Sequence, residues 1–182
     1  MPNLIHFEYA QTGASSNENS MGMRSMQARA YAARGSQYLL LKAPPASGKS
    51  RALMFLALDK LHNQGIKKAI VAVPERSIGG SFSSTELSKY GFFCDWEIDD
   101  NNNLCIPGGE SSKVKAFKRF MASDDEILIC THATLRFAFQ EIEDSVFNDC
   151  LLAIDEFHHV SADGDNVLGG VLRSIMANTN AH

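Results

Sequence analysis

One octapeptide constrains this chain more than any other feature: A-P-P-A-S-G-K-S at 43–50, set between a short apolar run and a long helical segment. Upstream, Q-Y-L-L-L-K at 37–42 is bounded by Gly35 and Pro44, which predicts a buried strand. Downstream, R-A-L-M-F-L-A-L-D-K-L-H-N-Q-G is rich in helix formers and predicts a helix that Gly65 stops. A loop in that position can aim its backbone N–H groups, and the helix N-terminus behind them, at phosphates. Lys49 is then placed to reach the β- and γ-phosphates of a nucleotide, and the Ser50 hydroxyl to bind Mg²⁺. Gly-Lys-Ser alone would read equally as a polar helix start with an exposed lysine. The flanking strand and helix favour the phosphate-binding reading.

The loop sits in a chain that alternates strands with helices. Helices are predicted over 23–33, 77–89, 111–121 and 166–177, and strands over 68–73, 92–98, 126–130 and 151–154. Thr131 is placed to cap a helix after the strand at 126–130. This alternation predicts a parallel α/β sheet covered by helices on both faces. Residues 1–22 read as a polar lead-in and 23–182 as one domain, with no repeat and no internal linker.

Composition narrows the function classes. The 182 residues are 45% hydrophobic and 21% charged, which suits a folded domain and rules out disorder as the whole answer. No apolar run approaches the roughly 18 residues of a spanning helix, and no basic leader precedes one, so a cytoplasmic chain without membrane partners is expected. The net charge of −4 argues against a dedicated basic nucleic-acid coat while leaving room for a local basic groove. None of the four cysteines forms a Cys-x-x-Cys pair, and Cys130 and Cys150 lie in apolar runs as small buried hydrophobes.

A second chemical element is Asp155-Glu156-Phe157-His158, directly after the apolar run L-L-A-I. In an open parallel sheet, ligands bind beyond the carboxyl ends of the strands, so this pair points at the crevice the 43–50 loop faces. Asp155 could hold Mg²⁺ through water, and Glu156 could polarise an attacking water. On its own the pair would be a solvated strand end. The phosphate loop upstream favours chemistry.

Taken together these segments resemble the first RecA-like domain of a superfamily two helicase or translocase of the D-E-x-H type. Arg24-x-x-Gln27 resembles that family's adenine-reading segment, and Ala46, Ser47, Gly48, Lys49 and Ser50 its phosphate loop. Val73-Pro74-Glu75-Arg76 and Thr131-His132-Ala133-Thr134-Leu135 resemble two segments that touch the nucleic-acid backbone. His158 matches the histidine that couples nucleotide state to a partner domain. The D-E-x-H-H and T-H-x-x-L patterns are similar to restriction-enzyme motor subunits, which leans toward DNA over RNA. The resemblance implies a P-loop NTPase with a RecA-like sheet, ATP and Mg²⁺ as cofactors, nucleic acid as track, and a second RecA-like domain supplying arginines. It also implies Lys49 and Glu156 as the catalytic pair and Ser50 with Asp155 as the metal ligands.

Two departures stand against it. Ala46 occupies a position that glycine often fills, so the loop is expected to use a conformation alanine tolerates. The sequence ends at His182 before any Ser-Ala-Thr-like segment, so an incomplete domain with little turnover of its own is expected. A P-loop ATPase of another class and a non-catalytic nucleotide-binding or interaction module are the rival readings. Lys113, Lys115, Lys118 and Arg119 could contact phosphates, although Phe117 and Phe120 between them have the spacing of a core-facing stripe. Trp96 reads as packed rather than stacked on a base, and Asp163-Gly164-Asp165-Asn166 as a turn rather than a calcium loop.

Overall fold

The computed structural model describes residues 19–107, 112–157 and 167–182. At its centre lie three parallel strands, β1 (Lys68–Val73), β2 (Ile127–Thr131) and β3 (Cys150–Ile154), in the order β2-β1-β3. The run K-A-I-V-A-V suits the middle position because it offers an apolar side chain to each face in turn. Ala69, Val71 and Val73 pack with Ile127, Ile129 and Leu151 against Met54, Phe55 and Leu58 of helix α2 (Lys49–Asn63). Ile70 and Ala72 face the opposite layer. There they meet Phe117 and Phe120 of α3 (Lys113–Ala122), Leu135 of α4 (His132–Phe139) and Val171 of α5 (Val167–Asn178). Burying each such side chain contributes about 1.5–3 kcal/mol, so the two layers fix the register of β1 firmly. Helix α1 (Ser25–Ala32) packs on α2, and the Tyr31 hydroxyl donates to Asp59 Oδ1 at 2.8 Å.

The three parallel strands end on one edge of the sheet, where Arg76, Thr131, His132, Asp155 and Glu156 follow them, and the cavity-lining residues of α1 and α2 sit beside it. The α/β architecture with helices on both faces agrees with the sequence reading. The helices expected at 23–33, after the loop, at 111–121 and at 166–177 form within two residues of their predicted ends, as do the strands at 68–73, 126–130 and 151–154. Thr131 caps α4 as expected, its Oγ1 accepting the Thr134 N–H at 3.2 Å.

Three expectations fail. The strand at 37–42 does not form, and Leu40 is 74% exposed. Both edges of β1 are taken, and the outer edges of β2 and β3 are met by other segments. Leu104 N–H donates to the Ile129 carbonyl at 2.8 Å, while His182 N–H donates to Cys150 and Leu152 N–H to His182, both at 2.9 Å. The apolar run therefore finds no ladder to join. The helix expected at 77–89 is replaced by two 3₁₀ segments, Arg76–Phe82 and Ser88–Tyr90. Gly79, Gly80 and the serines around them are poor α-helix formers. The strand expected at 92–98 is reduced to one antiparallel bridge between Thr85 and Trp96. Trp96 itself is fully buried, and its Nε1–H donates to the Phe82 carbonyl at 2.8 Å, so it is packed as predicted.

Cys105, Cys130 and Cys150 are buried and unbridged, and burial pushes the Cys150 thiol up to about 11. Among the described residues no helix is long and apolar enough to cross a membrane.

Candidate nucleotide-binding site

Helix α2 opens from a loop with two left-handed residues. Ala46 lies at φ +60° and Gly48, the N-cap, at φ +87°. Glycine suits position 48, where φ is left-handed and a Cβ would sit 2.5 Å from the Gln27 side-chain nitrogen and force that amide off the Gly48 carbonyl. At position 46 the expectation needs correcting. The loop keeps a left-handed turn and alanine adopts it, at a cost of about 1–2 kcal/mol. These turns bring the chain sharply into α2, whose first N–H groups have no partner within the helix and carry its positive dipole end. Within the loop, Ser47 Oγ is buried without a hydrogen-bond partner. Buried polar atoms are nearly always paired, so an orphan oxygen in this position fits a ligand that brings its own hydrogen-bonding atoms.

The loop borders a cavity of about 560 Å³. Lys49 and Ser50 line it from the head of α2, Arg24 and Gln27 from the start of α1, and Asp155 and Glu156 from the turn after β3. Arg24 and Gln27 hold the loop directly. The Arg24 N–H donates to Gln27 Oε1 at 2.8 Å, Gln27 Nε2 donates to the Gly48 carbonyl at 3.1 Å, and Arg24 Nη1 donates to the Ala46 carbonyl at 3.4 Å. Gln27 is buried, so a base contact from its amide has to compete with its hold on Gly48.

Asp155 continues the β3 ladder, its N–H donating to the Ala72 carbonyl at 2.9 Å. Burial pushes its carboxyl above the usual carboxylate range. The Glu156 N–H, which donates to Asp155 Oδ1 at 3.0 Å, works against that shift, as do the charges of Lys49 and His132. Glu156 itself is left-handed at φ +49°, a conformation that directs its side chain back toward the loop. Its Oε1 accepts from Lys49 Nζ at 2.7 Å.

Among the described residues, the other sequence-predicted positions Arg76, Thr131 and His132 do not line the cavity. Arg76 is exposed on the 3₁₀ segment after β1. The Thr131 hydroxyl is used in the cap of α4, and His132 Nε2 lies 3.1 Å from the Asp155 carbonyl oxygen. His158 and the 163–166 turn lie outside the described residues. Phe117 and Phe120 are fully buried, Lys118 pairs with Glu141 at 2.7 Å, and Arg119 Nη2 donates to the Asn101 carbonyl at 3.4 Å. Sequence reasoning missed Arg51 and Ile78, which also line the cavity. The Arg51 guanidinium lies 5.5 Å from the centre of the Tyr90 ring. Arg51 follows Ser50 directly, which was the only available signal, and Ile78 reaches the cavity through a 3₁₀ turn that the sequence did not announce.

A parallel sheet with a Gly-Lys-Ser loop at a helix head, facing an Asp-Glu turn at a neighbouring strand end, defines a P-loop NTPase domain with a RecA-like fold. The DEAD/DEAH box helicase profile matches residues 24–181, and the chain belongs to that family. A protein of Bacillus subtilis (strain 168), provisionally named ATP-dependent helicase YeeB, is 65% identical over 182 residues. That match covers 100% of this chain and 30% of the relative's length. No solved structure matches the chain. The family resemblance drawn from the motifs is thereby borne out.

Proposed function

We propose that this chain is the ATP-binding domain of an ATP-dependent helicase or translocase, coupling Mg²⁺–ATP hydrolysis to movement on nucleic acid, DNA rather than RNA. One observation carries the reading: Lys49 and Ser50, at the head of α2, share a single cavity with Asp155 and Glu156. In this reading the α2 head and Lys49 bind the β- and γ-phosphates, and Ser47 Oγ gains a phosphate oxygen as its partner. Arg24 and Gln27 border the end of the cavity where the base would rest. Ser50 and Asp155 offer hard oxygen donors of the kind Mg²⁺ prefers, and bound Mg²⁺ supplies charge neutralisation at the phosphate oxygens. Glu156 orients and deprotonates the attacking water once its carboxylate leaves Lys49. Arg76, Thr131 and His132, at the ends of β1 and β2, face the track, and His158 signals to a second RecA-like domain. That domain would contribute arginine, a group worth about 10³–10⁵ in rate in related phosphoryl transfer, so the isolated chain turns ATP over slowly.

Calorimetric titration of this chain with Mg²⁺ and a non-hydrolysable ATP analogue, beside Lys49→Ala, tests the reading. Binding that the substitution abolishes is the expected outcome. Equal binding by both proteins would overturn the assignment of the loop.

A further inference from the structure

The contact between His132 and the Asp155 carbonyl has no counterpart in the roles considered so far. His132 is the first residue of α4, immediately after β2, whereas Asp155 follows β3. The two strands flank β1, so the contact crosses the end of the central strand, a span of two strand spacings or about 9.5 Å. It closes the hydrogen bonding of the Asp155 backbone. The Asp155 N–H is held by the Ala72 carbonyl at 2.9 Å, and its carbonyl oxygen lies 3.1 Å from His132 Nε2. The carbonyl accepts, so the ring carries its proton on Nε2. On the far side, Asp155 Oδ1 takes the Glu156 N–H at 3.0 Å, and Glu156 turns left-handed immediately afterwards.

The Asp-Glu turn is thus held by its own strand ladder, by itself, and by side chains from other segments, Lys49 on the Glu156 carboxylate and His132 on the Asp155 carbonyl. His132 is in turn fixed by the capped start of α4, where Thr131 Oγ1 accepts the Thr134 N–H. A shift of the Thr131-His132 turn therefore moves the peptide that sets the direction of Asp155 and Glu156.

We propose that His132 is a positioning residue that couples the track-facing turn after β2 to the hydrolytic turn after β3. This inference rests on the helicase reading above and assigns His132 a role inside the protein, in place of contact with the nucleic-acid backbone. Loading of the turn after β2 would be relayed through the Nε2–H to the Asp155 peptide.

The test is steady-state ATP hydrolysis by the complete gene product, with and without single-stranded DNA or RNA, for wild type, His132→Phe and His132→Gln. Phenylalanine keeps the ring and removes the donor, while glutamine returns an N–H donor at similar reach. Losing one hydrogen bond at this point should lower kcat at saturating nucleic acid by about tenfold. The KM for ATP and the half-saturating nucleic-acid concentration should stay within about twofold, the signature of an effect on the chemical step alone. His132→Gln should recover most of the loss. Three results would overturn the coupling role: a Phe variant equal to wild type, a Gln variant no better than Phe, or weaker nucleic-acid binding with kcat at saturation intact. The last would make His132 a direct backbone contact. A wild-type enzyme that hydrolyses ATP with no response to either nucleic acid would instead overturn the helicase reading on which the coupling rests.

Discussion

Lys49 and Glu156, 107 positions apart in the chain, meet through an Nζ–Oε1 contact of 2.7 Å. Each is therefore occupied by the other in the absence of nucleotide. Phosphates compete with Glu156 for Lys49, and water activation needs Glu156 released. The pair joins the binding step to the chemical step, because taking up phosphate frees the carboxylate that hydrolysis uses.

Glu156→Gln separates these two roles. It removes the charge that competes for Lys49, so affinity for a non-hydrolysable ATP analogue should rise by about fivefold, equivalent to about 1 kcal/mol for a partly exposed ion pair. Hydrolysis by the complete gene product should fall at least about 100-fold as the general base is lost. Titration calorimetry and an ATPase assay read the two effects. Unchanged affinity would show that the ion pair does not oppose binding, and retained hydrolysis would remove Glu156 from the chemistry.

Asp155 makes a prediction about stability. Burial holds its carboxyl above the ordinary range. With the folded value above the unfolded one, the native chain takes up the proton first as pH falls. The ionised carboxyl therefore costs stability at neutral pH, and the cost is lifted as pH drops through the folded value. Asp155→Asn keeps an oxygen to accept the Glu156 N–H and removes the charge. Its Tm should exceed wild type by about 2–4 °C at neutral pH, the shift that about 1 kcal/mol produces at this size. The advantage should shrink toward about pH 4, where the ordinary carboxylate also protonates. A variant less stable than wild type at neutral pH would show that the hydrogen bonds to the carboxylate outweigh its burial.

How much of this was legible beforehand depended on whether the signal was local. The strands at 68–73, 126–130 and 151–154 are apolar runs with turn residues at their ends, and nothing distant decides their form. The loop residues from Ala46 to Ser50 and the Asp155-Glu156 turn could be read because their roles follow from the ends of those elements. The run at 37–42 has the same local character as the three strands, yet strand formation needs an open edge, and edges are allotted by the whole sheet. In the 77–98 region, Gly79 and Gly80 weakened a helical pattern, and Trp96 is buried from a loop by its bond to Phe82. The His132–Asp155 contact was beyond reach for a related reason. Nothing in T-H-x-x-L says which way the imidazole turns until β2 and β3 are known to flank β1.

At the opposite end of α2 from Lys49, a buried lysine makes the last prediction. Lys60 is only 4% exposed, and its ammonium meets three acceptors: the Ser36 carbonyl at 3.0 Å, Gln64 Oε1 at 3.4 Å and His182 Nδ1 at 2.8 Å. The third contact requires a lone pair on Nδ1, so the ring is neutral with its proton on Nε2. Burial, with the Lys60 charge adding to it, holds the His182 imidazole below its ordinary value of 6.5. At pH 7.5 the ring is neutral both folded and unfolded, and the shift contributes nothing. Below about pH 6.5 the unfolded chain gains a proton that the native state resists, so stability falls as pH drops. His182→Gln offers a carbonyl oxygen that does not titrate. It should have a Tm close to wild type at pH 7.5 and lose less on going to pH 5.5, by about 2 °C or more. Because His182 also holds the edge of β3 through its own backbone, the protection of the Leu152 amide relative to its intrinsic exchange rate should fall in wild type on going to pH 5.5, and much less in the variant. Parallel pH profiles for the two proteins would show that Lys60 tolerates the charged ring.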